Sequence, residues 1–287
     1  MERFERINML YWLKEEYKIE EGKLKQLYIE CNTLDMELET DLYRIMSYDR
    51  LKETLQTQCL SMSKPKTYQD PYETFLMNYR ARMKDGTIVG FNLLRDRIYC
   101  QCWSQRKECE GLWKAHTKDA NEKNRYVKIK ANANNLMDYF YDTNNIFHLT
   151  TYFIGKVSYF REEFFDELLN DGIGKYFSAM AGDMPMINSL LMKRKAFEYE
   201  DEVRLILNVP NSPKTDFSTV INKWDLRNNY FAYKIDINDV IEEITFDPYL
   251  QERDFSKFEN EIRKLGYNGK ITHSNLYTKV KDKIIEF

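Results

Sequence analysis

One stretch, KAFEYEDEVRLIL (195–207), constrains the fold more than any other part of the sequence. Its charged and apolar side chains alternate, which predicts a β-strand with one face in a core. Glu200 and Glu202 would then project from the opposite face with Arg204, and Glu198 precedes them at the same spacing. Adjacent like charges on a sheet cost stability. The glutamates therefore either face water on an edge strand or line a site that binds positive charge.

Helical and strand-like patterns alternate irregularly along the rest of the chain, without an internal repeat. Apolar residues at helical spacing in 3–19, and again after the Glu-Glu-Gly sequence at 20–22, predict an N-terminal helical hairpin over 1–40. Residues 41–287 are predicted to form a single α+β domain, with a mixed or split β-sheet core flanked by helices. An apolar content of 43% is sufficient for such a core.

The predicted elements of the domain begin with a strand at 42–47, a helix at 48–58 and a strand at 59–65. Further predicted helices lie at 112–124, 161–170, 176–194 and 252–266, and further predicted strands lie within 87–105, 125–131, 148–160, 240–248 and 268–274.

Charge is distributed unevenly along a chain whose net charge is only −3. Residues 64–130 contain 15 Lys and Arg against 8 Asp and Glu, which is typical of a solvated basic face or of a surface for a phosphate-bearing ligand. No apolar run approaches the roughly 20 residues that span a bilayer, and the N-terminus lacks the pattern of a secretory signal. We therefore expect a cytoplasmic protein with no membrane partner, and reduced thiols at its five cysteines.

Motifs for several common chemistries are absent or weak. Four zinc-type ligands lie close in sequence: Cys100, Cys102, Cys109 and His116. The first two are separated by one residue where structural zinc sites normally have two, so no metal is expected. A Cys/His nucleophile pair stays open but has no supporting motif. Neither G-x-G-x-x-G nor a P-loop occurs, so a nucleotide would have to bind by another route.

Several stretches, in order, resemble a family of bacterial proteins catalogued as domain of unknown function 2971. They are LYRIMSYDRLKETLQTQCLSMSKPKTYQDPYE (42–73), CWS (102–104), LWKAHT (112–117), GKVSY (155–159), FEYEDEVRLI (197–206) and SNLY (274–277). The chain departs from the family pattern at Gln69, at His116 and near Arg125. The matching stretches lie between Leu42 and Tyr277, so the resemblance does not include the predicted N-terminal helices.

The order of these pieces is also similar to the ADP-ribosyltransferase fold, which has an early strand with a polar or aromatic side chain, a strand with a serine and a late strand with a glutamate. The similarity implies NAD as substrate, with Glu202 stabilising the positive charge that forms as nicotinamide departs. It implies that Glu200 is a general base. The implied NAD-binding residues are Tyr43, Arg44, Ser63, Tyr68, Trp113 and Arg204, of which Tyr68 or Trp113 would stack on nicotinamide.

This resemblance leads us to expect an NAD-dependent, ADP-ribosyltransferase-like effector, a bacterial toxin or phage-defence protein that modifies a nucleic acid or a protein. The alternative is a non-catalytic sensor or adaptor of a defence system that binds a nucleotide or a partner. An antitoxin or defence component is an expected partner, and the N-terminal helices would provide a surface for it or for a homo-oligomer. Nucleic-acid cleavage has no supporting cluster of metal ligands.

Overall fold

The computed structural model describes residues 18–82, 85–90, 96–117, 125–140, 151–178, 180, 184–209 and 229–278. The second predicted N-terminal helix is present as α1 (Glu21–Cys31), which packs Leu24 and Tyr28 into a small apolar cluster and Ile29 into the main core. The first helix of the predicted hairpin falls outside the described residues, so the hairpin stays a prediction.

The described strands are β1 (Thr33–Leu34), β2 (Asp41–Ser47), β3 (Cys59–Ser63), β4 (Arg80–Arg82), β5 (Ile88–Gly90), β6 (Ile98–Ser104), β7 (Tyr126–Asn132), β8 (Tyr152–Lys156), β9 (Ser158–Phe160), β10 (Met192–Arg194), β11 (Glu202–Asn208), β12 (Tyr230–Lys234), β13 (Glu243–Phe246) and β14 (Lys270–His273).

The remaining described helices are α2 (Tyr48–Thr57), α3 (Glu110–His116), α4 (Ala133–Asp138), α5 (Glu162–Glu167), α6 (Ile173–Ser178), α7 (Met184–Ser189), α8 (Ile237–Val240) and α9 (Glu252–Lys264). A π-turn (Leu168–Gly172) joins α5 to α6, and 3₁₀ segments cover Pro65–Thr67, Pro71–Asn78 and Lys195–Glu200.

Within the described residues, ten of the strands form one mixed sheet that branches at β6. Its main path runs β1-β8-β11-β6-β2-β7-β13-β14, and β3 with β12 leaves the path at β6. On β6, Ser104 pairs with Tyr43 of β2, while Cys100 pairs with Ser63 of β3. Most pairs are antiparallel, whereas β1–β8 and β13–β14 are parallel. The prediction of a mixed, split sheet is confirmed.

Local sequence explains why the elements beside the branch form where they do. Ser47 caps the start of helix α2, with its hydroxyl accepting a hydrogen bond from the Arg50 backbone N–H. Gln58 caps the end of the helix in a left-handed conformation (φ 54°). Leu51 and Leu55, four residues apart, bury the same helix face. The predicted strand at 42–47 and helix at 48–58 are thereby confirmed, and the next strand ends at Ser63 before Pro65.

Strand β11 is buried along its whole length because apolar cores lie on both sides of the sheet. Val203, Leu205 and Leu207 face the larger core, and Ile206 faces a second core with Phe153. A strand covered on both faces has no solvated side on which charges could be placed cheaply. The charged residues at its start therefore need partners inside the protein.

The predicted strand at 195–207 is wrong in its first half. Residues Lys195–Glu200 form a 3₁₀ turn, Asp201 takes a left-handed conformation (φ 43°), and the strand begins at Glu202. The pairing gives the reason: Glu202 lies opposite Ser104, the last residue of β6, so no neighbouring strand is present to extend the ladder earlier. The predicted helix at 176–194 is also only partly correct, since 192–194 is a strand.

Candidate active site

A cavity of about 640 Å³ lies where β2 and β11 meet the C-terminal half of β6. Side chains from β2, β6, β7, β10, β11, α3 and the 3₁₀ segments line it. Its volume is in the range of cavities that bind cofactor-sized ligands.

Glu202 lies at the base of this cavity, with Arg204 beneath it. Arg204 Nε donates to Glu202 Oε1 at 2.7 Å, and Nη2 donates to Oε2 at 2.9 Å, which is a bidentate pair. Arg204 Nη2 also donates to Glu73, and Nη1 donates to the Leu190 carbonyl at 2.7 Å. Arg204 is 0% exposed and Glu202 is 3% exposed, so the whole pair is removed from water.

A second cation, Lys193 of β10, joins the same acids from the other side. Its Nζ lies 2.5 Å from Glu200 Oε2, 3.0 Å from Glu202 Oε2 and 3.6 Å from Glu73 Oε1. We call these five residues the floor cluster: Glu73, Lys193, Glu200, Glu202 and Arg204. Three carboxylates and two cations thus share one site, and all except Arg204 line the cavity.

The two neighbouring glutamates are held in different electrostatic states. Burial alone would raise the pKa of Glu202, but Arg204 and Lys193 outweigh it and lower the pKa to about 2. Burial raises the pKa of Glu200, and the nearby Glu202 and Glu73 add to that rise against the opposing effect of Lys193. Glu202 is therefore a fixed anion, whereas Glu200 can exchange a proton nearer to neutral pH.

The backbone around Asp201 brings both glutamates to the cavity. Its left-handed conformation, which aspartate tolerates better than most residues, turns the chain from the 3₁₀ segment into β11. Ser104 Oγ donates to the Glu200 carbonyl at 2.5 Å, and the Glu202 N–H donates to Tyr159 Oη at 2.8 Å. These contacts fix the turn from two sides.

The cavity lining also contains Arg44 and aromatic rings. Arg44 Nη1 donates to the Ser61 carbonyl at 3.2 Å, and burial lowers the pKa of its guanidinium. No carboxylate of the described residues forms an ion pair with Arg44. Tyr68 is half-buried, with its ring 5.2 Å from Arg204 Cζ and its hydroxyl 3.2 Å from Cys102 Sγ. This part of the lining combines a half-buried ring with a cation for which the described residues supply no counter-charge.

Six of the residues predicted from sequence line this one cavity: Tyr43, Arg44, Tyr68, Trp113, Glu200 and Glu202. Trp113 is 0% exposed and donates its indole N–H to Glu108 at 2.5 Å, so it forms part of the wall and has no free face for stacking. Between the two rings predicted to stack on nicotinamide, the structure favours Tyr68.

Two residues predicted to contact a ligand do not line this cavity. Arg204 lies beneath Glu202 and is 0% exposed, so in this structure it positions a carboxylate. Ser63 lies outside the large cavity and lines a smaller one of about 240 Å³ beside it. Arg44 lines both cavities. The serine that does reach the large cavity is Ser104.

Sequence reasoning missed Lys193 and Glu73, which complete the floor cluster. Lys193 lies on a three-residue strand, too short to show a period-two pattern. Glu73 lies in the 3₁₀ segment that begins after Asp70. The Asp70 carboxylate caps that segment by accepting a hydrogen bond from the Tyr72 N–H at 3.1 Å. The Asp-Pro pair in the sequence indicates such a turn. Neither residue type could have been assigned to a cavity without the tertiary fold.

The described residues contain no group of three or more His, Cys, Asp or Glu side chains arranged to hold a metal ion. None of the described helices has the length and apolar character needed to cross a membrane.

Comparisons with known proteins give one weak likeness. No protein-family model matches the chain, and no curated protein matches it. Among solved structures, it is similar to Thermus sp. 2.9 DarT in complex with NAD+ and to the same protein in complex with carba-NAD+. Both matches have a TM-score of 0.36 and 11% identity and cover 83% of this chain, with 96% and 97% of the respective DarT chains. A likeness at this level supports no conclusion about function, and the resemblance to domain of unknown function 2971 stays a prediction.

Proposed function

We propose that the cavity binds NAD and that the protein transfers ADP-ribose from NAD to an acceptor. The observation that carries this proposal is the placement of Glu202. It is a buried carboxylate held ionised in the lining of a cavity. The same lining includes Arg44, for which the described residues supply no carboxylate partner.

The chemistry of NAD complements several residues that line the cavity. Its pyrophosphate is an anion that a guanidinium binds well, which suits Arg44 and the exposed Arg106 at the rim. Its rings can stack on Tyr68. Its nicotinamide ribose becomes positively charged during reaction, which suits a carboxylate such as Glu202.

Each of the two glutamates has one role in this proposal. Breaking the bond between nicotinamide and ribose C1′ leaves the electron pair on nicotinamide and positive charge on the ribose. Glu202, ionised across the physiological pH range, stabilises that charge. Glu200 accepts the proton that the acceptor's nucleophile loses as it bonds to C1′, and its raised pKa suits a general base.

The acceptor on this proposal is a nucleic acid or a protein, and a role as a toxin or phage-defence effector is part of the same proposal. Two basic residues of the positive stretch at 64–130, Arg106 and Lys128, line the cavity. Lys128 is already paired with Glu108 at 3.0 Å, so Arg106 is the one we expect to face a polyanionic acceptor or the pyrophosphate.

Nicotinamide release from labelled NAD tests the proposal, measured with purified protein in the presence of cell lysate. Glu202→Gln removes the charge and keeps the shape, and we expect it to lower turnover by about 100-fold or more. Glu198→Gln is the matched control, because Glu198 is 57% exposed and lies 4.0 Å from Lys195. Wild-type protein that neither binds nor turns over NAD would end the proposal.

A specific observation favours the second candidate, a non-catalytic nucleotide-binding sensor or adaptor. Both carboxylate oxygens of Glu202 already accept hydrogen bonds from Arg204 or Lys193, as in a purely structural ion pair. In that case calorimetry would detect NAD or another nucleotide binding without turnover, and Glu202→Gln would leave the affinity unchanged.

A further inference from the structure

Lys193 has contacts that a single buried ion pair would not need. An ammonium has three N–H donors, and Lys193 Nζ lies within 4.0 Å of three carboxylates. It is only 5% exposed. Its two shortest contacts go to Glu200 and Glu202, the two residues to which the proposed reaction gives separate roles.

The strand that carries Lys193 is anchored independently of those contacts. Strand β10 pairs with β9, and Lys193 is opposite Tyr159, the residue whose hydroxyl receives the Glu202 N–H. The next residue, Arg194, donates to Asp70 at 3.2 Å and to Glu162 at 2.7 Å. Lys193 is therefore held in place by its strand and its neighbour.

Removing the ammonium would leave two buried carboxylates, Glu73 and Glu202, and the partly buried Glu200 with one guanidinium. Like charges at short range repel, and at least one of the acids would then move apart or take up a proton. Glu200 is the least constrained of the three, since Arg204 binds Glu202 and Glu73 directly but makes no hydrogen bond to Glu200. Lys193 is the only residue of the floor cluster whose side chain hydrogen-bonds Glu200 in the described structure.

We propose that Lys193 is the positioning residue of this site, whose ammonium holds the carboxylates of Glu200 and Glu202 side by side at the cavity floor. The positioning of the two carboxylates by Lys193 is inferred from the geometry alone. A role for that positioning in catalysis rests on the proposed function. Lys193 donates no proton in the reaction, because the carboxylates outweigh its burial and raise its pKa. It acts by keeping Glu200 ionised and aligned.

Titratable groups from several elements of the described structure act on Glu200. Lys193 lies on β10, Glu202 on β11, Glu73 in the 71–78 segment, Tyr159 on β9 and Tyr199 beside it in sequence. Among them Lys193 alone carries positive charge. Two substitutions should therefore move the titration of Glu200 in opposite directions.

The test is the titration of the Glu200 carboxyl by NMR of protein with ¹³C-labelled glutamate, assigned with Glu200→Gln. Lys193→Met should raise the midpoint by about one pH unit or more, since a neighbouring cation is lost. Glu73→Gln should lower it, since a neighbouring anion is lost. Lys195→Met is the matched control, because Lys195 is 56% exposed and should leave the midpoint unchanged.

Enzyme kinetics give a second readout that a purely structural role would not move. In Lys193→Met the acid limb of the kcat–pH profile should move to higher pH, as the Glu200 titration midpoint does. At pH 7 we expect kcat to fall about tenfold, while KM for NAD changes less than about twofold. A Glu200 midpoint that stays fixed in Lys193→Met overturns the inference, even where NAD is turned over.

The inference and the proposed function fail separately. Suppose that the Glu200 midpoint moves in opposite directions in Lys193→Met and Glu73→Gln, but the protein does not turn over NAD. Lys193 would then position the carboxylates as inferred, and the transferase proposal would be refuted. Should Lys193→Met not fold, Glu73→Gln decides alone, and an unmoved midpoint there rejects the inference.

Discussion

Two groups of ion pairs each include residues of the ten-stranded sheet, and they differ in how far their cations are buried. In the floor cluster, Lys193 and Arg204 are 5% and 0% exposed and bind three carboxylates. At the other half of the sheet, Lys130 of β7 lies between Asp41 at 2.9 Å and Glu242 at 2.8 Å. Those three side chains are 23%, 48% and 38% exposed. The distances are similar, so water is the main difference.

This difference in exposure determines how much free energy each group of ion pairs costs to form. Exposed ion pairs contribute about 0–1 kcal/mol, because water screens them and two side chains must be ordered. Buried ion pairs lose several kcal/mol of hydration per ion, and well-packed apolar residues often replace them without loss of stability. The Lys130 group needs no functional explanation. The floor cluster, placed against a cavity at the start of a fully buried strand, is better explained by a role in that cavity.

The largest expected effect comes from breaking the floor cluster at Arg204. Arg204→Met leaves Glu202 and Glu73 buried without their guanidinium, and we expect the free energy of unfolding to fall by about 3–5 kcal/mol. Urea denaturation measures it. Arg50→Met is the control, because Arg50 is an exposed residue 3.4 Å from Glu53. If the free energy of unfolding falls by less than about 1 kcal/mol, the floor cluster contributes no more to stability than an exposed ion pair.

Acid should weaken the floor cluster in a narrow pH window. The pKa of Glu202 is about 2 in the folded protein against an ordinary value of 4.5, so its contribution to stability is fully present above pH 4.5. It is lost as pH falls from 4.5 toward 2, and the shift corresponds to about 3 kcal/mol. Unfolding free energies measured across this window should converge for wild type and Glu202→Gln. Parallel curves would contradict the assignment.

Much of the fold could be predicted from the sequence because it depends on local pattern. Helix α9 shows this, with acids in its first turn, bases in its last and Gly266 at φ +91° just after it. The start of β11 could not be predicted, since alternation continues to Lys195 but the partner strand ends at Ser104. A strand requires a neighbour, and sequence periodicity carries no information about where that neighbour stops.

The candidate site was predictable only in part, for a related reason. Glu202 and Tyr43 come from strands with clear patterns, and they do line one cavity. Lys193 comes from a strand of only three residues, which shows no pattern in the sequence. Trp113 and Arg204 are fully buried, and the sequence does not distinguish them from residues that a ligand could reach. Burial and long-range pairing are tertiary properties. The residues that position others were therefore missed or assigned to direct contact with the ligand.

The smallest expected effect tests the exposed side of the comparison. Hydrogen bonds to Glu242 and Asp41 raise the pKa of Lys130, yet all three side chains remain in contact with water. Lys130→Met should lower the free energy of unfolding by less than about 1 kcal/mol. High salt should shrink that difference further, because screening weakens exposed pairs, and should leave the effect of Arg204→Met nearly unchanged. Denaturation at low and high ionic strength measures both. Equal salt dependence in the two variants would mean that water reaches the floor cluster as freely as it reaches Lys130, and the case for a specialised site there would be lost.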